Sequence, residues 1–240
     1  VVVVRVREGR RTGLARGEAS DVGELQATLR QALAMARGAS ISPDWEWPRG
    51  SEEAVAPAIL DGLHDAEVAE LAPPAALQRL QKLSDRQSTL RCTWSELQLV
   101  VAATARPTRA ARATEISLEA RTGRRPGSGF AAASSRTLRG LPLERLVANA
   151  QALQATEITE AVPEPGAPAV LAPEAAVALL ELVAREVFSG RRFVAGQGPL
   201  ADPAERRALS PVVRLVDEPG DALTLGFPFD YDGLLKRRRE

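Results

Sequence analysis

The sequence predicts an α+β fold built from hairpins that feed amphipathic helices. Three observations carry this. A β-branched run opens the chain, a helical stripe of apolar residues follows one turn later, and the same strand–turn–strand–helix order returns about half a chain on. Hairpins are more evident than crossover units, which favours α+β over a parallel α/β sheet.

Val1–Arg7 (VVVVRVR) alternates Arg5 and Arg7 out of a valine run and reads as a strand with one wet face. Glu8–Gly13 (EGRRTG) is a turn, and Leu14–Ala19 returns as a second strand. Asp21 then caps a helix whose apolar positions Leu25, Leu29, Ala32, Leu33 and Ala36 share one face, ending at Gly38.

Trp45 and Trp47 alternate in the loop Ile41–Gly50, a pattern that either grips a ligand or pins the loop to the body. Ser51–Leu71 is acidic and helical in pattern, Pro73-Pro74 breaks it, and Ala75–Leu83 gives another helix. Leu90–Ala103 (LRCTWSELQLVVAA) reads as two strands paired through Ser95-Glu96.

The opening order then recurs. Ile116–Arg121 is strand-like, Thr122–Gly127 (TGRRPG) lies over EGRRTG, Phe130–Leu138 can return, and Leu143–Ala155 carries Leu143, Leu146, Val147, Ala150 and Leu153 on one helical face. A structural duplication would produce this match. So would turn chemistry alone, since turns favour Gly. The predicted organisation is an N-terminal domain over 1–161, with a repeat over 1–38 and 114–155 and a helical insertion over 51–84. A stiff Pro/Gly linker, 162–168, leads into the start of a second, truncated α/β subdomain over 169–240. In that part Ala169–Ala172 reads as a short apolar strand, and Pro173 with Glu174 opens a helix whose wide apolar stripe predicts burial.

Composition excludes several classes. Lys plus Arg and Asp plus Glu both number 31, so no global field draws in nucleic acid. Cys92 is the single cysteine and His64 the single histidine, which leaves no internal disulfide and no zinc site built on His and Cys. Cys92 lacks a basic partner in sequence and reads as a semi-buried structural thiol. With neither an apolar run of spanning length nor a signal-peptide pattern, the expected location is cytoplasmic. Asp217, Glu218, Asp221, Asp230 and Asp232 lack the spacing of a calcium loop and read as turn aspartates. Lys236–Arg239 reads as a solvated basic tail.

The last third of the chain carries a resemblance. The residues run Pro163-Glu164-Pro165-Gly166-x-Pro168, Val170-Leu171, Pro173-Glu174-Ala175-Ala176, Leu179-Leu180 and Ser189-Gly190. Then come Leu209-Ser210-Pro211, Val216-Asp217-Glu218-Pro219 and Gly226-x-Pro228-Phe229-Asp230-x-Asp232-Gly233. In order and spacing this closely resembles the TldD/PmbA family, the modulators of DNA gyrase, whose pattern ends in a "PFDDEG" loop. Tyr231 stands where that pattern has an acid, and Glu218 replaces an aspartate. The family also continues into a β-rich C-terminal domain.

The TldD-like branch is a zinc peptidase with an HExxxH helix placed after the "LL". Here that run is Glu181-Leu182-Val183-Ala184-Arg185-Glu186, without histidine. If Glu181 took the first ligand position, its i+4 partner would be Arg185, a cation. Glu181 and Glu186 lie about 140° apart around a helix and do not chelate together. The chain is therefore similar to the TldE (PmbA) branch, which lacks the metal motif. The resemblance implies a non-catalytic subunit of a TldD/TldE-type metallopeptidase acting on unfolded or extended peptides. Zinc would be held only in a TldD-like paralogue, with no cofactor on this chain, and self-association is the other partnership to expect. A standalone binding or scaffold protein of the same fold is the alternative. The implied motif positions, structural or partner-contacting, are Pro173, Glu181, Arg185, Asp217, Pro219, Asp230, Asp232 and Gly233.

Overall fold

A hairpin and one helix form the first of two compact units, Val1–Arg49, and the second spans Gly50–Glu240. The computed structural model describes residues 1–41, 55, 57–84, 87–104, 106–123, 128–154, 164–197, 214–219, 221 and 225–239. The predicted α+β class is borne out. Among the described residues no helix is long and apolar enough to cross a membrane.

In the first unit β1 (Val2–Glu8) pairs antiparallel with β2 (Arg11–Gly17), and α1 (Val22–Gly38) packs on one face. Glu8 pairs with Arg11, so the turn is two residues long. Within it Gly9 takes a positive φ of 63°, which suits a hairpin turn matched to strand twist. Asp21 caps α1 by accepting from the Glu24 amide at 2.9 Å. Glu24 reaches back to accept from the Ser20 amide at 2.7 Å, and this bond is the main reason its carboxyl sits below the usual range. Gly13 lets the helix come in close: a Cβ there would lie 2.0 Å from the Ala32 carbonyl oxygen.

The second unit opens with three short helices, α2 (Pro57–Asp61), α3 (Ala66–Ala69) and α4 (Pro73–Leu83). The helical stretch does end ahead of Pro73-Pro74, at Ala69, and the pair itself opens α4, two residues earlier than expected, where a missing amide costs nothing. His64, expected within a helix, sits between α2 and α3.

A three-stranded antiparallel sheet follows, ordered β3 (Ser88–Ala103), β4 (Arg106–Thr122), β5 (Gly129–Ser135). Leu90–Ala103 is thus one strand and not a pair. Ser95 and Glu96 stay extended because β4 supplies partners along the whole length, Ser95 to Glu115 and Glu96 to Thr114. The segment Ile116–Arg121 is only the inner end of β4. α5 (Leu143–Gln154) covers this end, with Leu146, Val147 and Ala150 packed on Leu118, Ala120 and Ala131.

The long β3–β4 hairpin changes its buried face midway. At the inner end Ile116, Leu118 and Ala120 point into the helix-covered core with Leu90, Cys92 and Trp94 beside them. Beyond the Glu96–Thr114 pair the opposite face is covered, through Ala111, Ala113, Leu99 and Val101. Successive side chains alternate faces, so one strand can serve two cores only if different bodies cover its two sides. Thr114 sits at the crossover. Its amide donates to the Leu63 carbonyl at 2.9 Å, and its hydroxyl donates to the Arg136 carbonyl at 2.8 Å while accepting from the Asp65 amide.

Cys92 is half-buried between the two inner clusters, as expected, and burial pushes its thiol pKa up. Past α5, residues 169–172 form no strand. α6 (Pro173–Val187) and α7 (Gly190–Val194) follow. The expected burial of α6 is not found. Leu182 is 60 % exposed and Val177 52 %, and no described residue of α6 is fully buried. The stripe is apolar enough for a core, but no described element covers it. Trp45, Trp47 and Leu209–Pro211 lie outside the described residues.

Candidate functional site

The motif segment Gly226–Gly233 folds as a tight hairpin docked on the outer half of the β3–β4 ribbon. Phe229 is 1 % exposed and packs with Leu63, Ala111 and Ala113, with Phe227, Leu99, Val101 and Leu235 around them. Phe227 stacks on Phe229 at a centroid distance of 6.1 Å. The hairpin closes through a Phe229–Leu235 bridge, with the Lys236 amide donating to the Pro228 carbonyl at 2.9 Å.

Asp230 organises the turn from within. One of its carboxylate oxygens accepts from the Asp232 and Leu234 amides, each at 2.9 Å, which is the Asx-type turn that aspartate favours. Gly233 then takes a φ of 74°, and a Cβ there would crowd Val101 at 3.3 Å. Tyr231 stands at the tip, 84 % exposed.

Three arginines hold this hairpin by its backbone. Arg109 Nε donates to the Gly233 carbonyl at 2.7 Å, Arg106 Nη1 to the Asp232 carbonyl, and Arg136 Nη2 to the Gly226 carbonyl at 2.7 Å. Arg109 and Arg136 are buried, and desolvation pulls the Arg136 pKa down against the opposing charge of Glu115. Because the arginines read carbonyls, the side chain at 231 can vary.

None of these arginines stands among the residues that the sequence singled out. A faint signal existed, since Arg109, Ala111 and Ala113 alternate on one face of a strand. In a chain so rich in Arg and Ala it does not stand out.

The predicted positions divide into three places. Asp230, Asp232 and Gly233 come together in the turn as structural residues. Asp217 exchanges backbone hydrogen bonds with Arg239 at 2.9 and 3.0 Å, and Pro219 is buried in the turn that follows. The tail Lys236–Arg239 is therefore not simply solvated: Arg239 bridges Asp217, and Arg238 pairs with Glu218 at 3.3 Å. Pro173 opens α6, and Glu181 and Arg185 lie exposed along it. With Glu174 they fall within about 40° of one another around the helix, a narrow polar stripe on an otherwise largely apolar rod.

The donor set on α6 does not fit zinc. A carboxylate followed one turn later by a guanidinium offers one ligand and one repelling cation. Among the described residues no group of three or more His, Cys, Asp or Glu side chains is placed to hold a metal ion. His64 Nε2 instead lies 3.2 Å from Glu96 Oε1, which Arg112 Nε also approaches at 2.8 Å. The Arg112 hydrogen bond is the main cause of the lowered Glu96 pKa.

Comparison with known proteins bears on the fold. No family model and no curated protein matches the sequence. Among solved structures, TldE from Thermococcus kodakarensis matches with a TM-score of 0.67 at 19 % identity, over 98 % of this chain and 56 % of that one. A protein of Thermotoga maritima named as a modulator of a DNA gyrase matches at 0.72 and 16 % identity, again over 98 % of this chain and 56 % of its own. A Bacteroides thetaiotaomicron protein with a similar name matches at 0.69 and 17 %, over 98 % and 57 %. The chain has the fold of the matched part of these proteins and spans little more than half their length. The resemblance expected from the sequence is borne out at that level.

Proposed function

We propose that this chain is a non-catalytic, peptide-handling subunit that works beside a zinc-bearing paralogue of the TldD type. The observation that carries the reading is the Glu181–Arg185 spacing on α6. It stands where the resemblance puts paired histidines, and it supplies a salt-bridge geometry in place of a chelate. The fold of TldE supports it, as does the clasped Gly226–Gly233 hairpin, where one carboxylate oxygen of Asp230 holds its own turn.

The exposed apolar surface of α6 supports the same reading. A helix hydrophobic over most of its circumference belongs inside a larger assembly. Val177, Leu179 and Leu182 are each at least half exposed.

Co-expression with an HExxxH paralogue tests the proposal. The expected result is a stable complex that degrades an unfolded peptide in a zinc-dependent way, with this chain alone inactive. Zinc-dependent turnover by the isolated chain would overturn the non-catalytic role. A chain that stays apart from the paralogue would favour a standalone binding protein.

A further inference from the structure

We draw no further inference here: the strongest candidate, the apolar surface of α6 (Pro173–Val187), on which Val177, Leu179 and Leu182 are each at least half exposed, carries nothing because nothing in the structure shows what covers it.

Discussion

Arg109 on β4 donates its Nε–H to the carbonyl of Gly233, 124 residues away in sequence, at 2.7 Å. The bond is buried, and it joins the outer half of the sheet to the turn of the motif hairpin. With Arg106 and Arg136 it fixes that hairpin through main-chain atoms, so the tip can vary in sequence while its position is held.

Replacing this arginine should therefore be costly. Arg109→Met keeps much of the apolar stem but leaves the Gly233 carbonyl without its buried donor. A loss of about 1.5–3 kcal/mol in unfolding free energy is expected, read from urea denaturation. A change below about 0.5 kcal/mol would mean that the clasp contributes nothing to stability.

The surroundings of two glycines predict opposite outcomes for alanine. Gly129→Ala would place a Cβ 1.7 Å from the Ala150 carbonyl oxygen, and several kcal/mol of destabilisation is expected, in the manner of an overpacked core. At Gly38, the end of α1, an added methyl would meet nothing within 4 Å, and the backbone has no positive φ. Gly38→Ala should raise stability by about 0.5–1 kcal/mol, measured by the same denaturation curves.

Cys92 gives a prediction with a definite sign. Burial raises its folded pKa above the unfolded one, so the native state holds the thiol proton more tightly. Its contribution to stability is complete below the unfolded thiol pKa and falls as pH rises beyond it. Thermal midpoints compared with Cys92→Ala should converge above about pH 9 relative to pH 7. Thiol-reactive dye should label the unfolded chain much faster than the native one.

Glu96 behaves in the reverse sense. The Arg112 hydrogen bond, with a smaller part from His64, depresses its folded pKa. The associated stability is present above the unfolded carboxyl pKa and is lost as pH falls through the folded one. Glu96→Gln should flatten the part of the midpoint-versus-pH curve on the acid side of about pH 4.5. An unchanged slope there would show that the surface pair is fully screened.

Much of the fold is written locally. Asp21 caps α1, Gly9 turns the first hairpin, Pro173 opens α6, and the apolar stripe of Leu143–Gln154 makes a helix that buries Leu146, Val147 and Ala150. Each depends on residues within a turn or two, where dihedral preference and amide satisfaction act without help from distant chain. The motif order in Pro163–Gly233 likewise points to the right fold through residue types and spacing alone.

Other features need the whole chain. Ser95-Glu96 resembles a turn in sequence, and only β4 lying alongside keeps it extended. The buried face of the β3–β4 ribbon switches at Thr114 because helices cover one side and the Phe229 hairpin covers the other. The arginines at 106, 109 and 136 look like any others in an Arg-rich chain until carbonyls from residues 226–233 arrive beside them. α6 shows the same boundary from the other direction. Its sequence alone determined that it would be a helix, and one apolar enough to be covered. How much of it is covered was decided by tertiary structure, because burial depends on which surfaces meet, and here Val177, Leu179 and Leu182 stay at least half exposed.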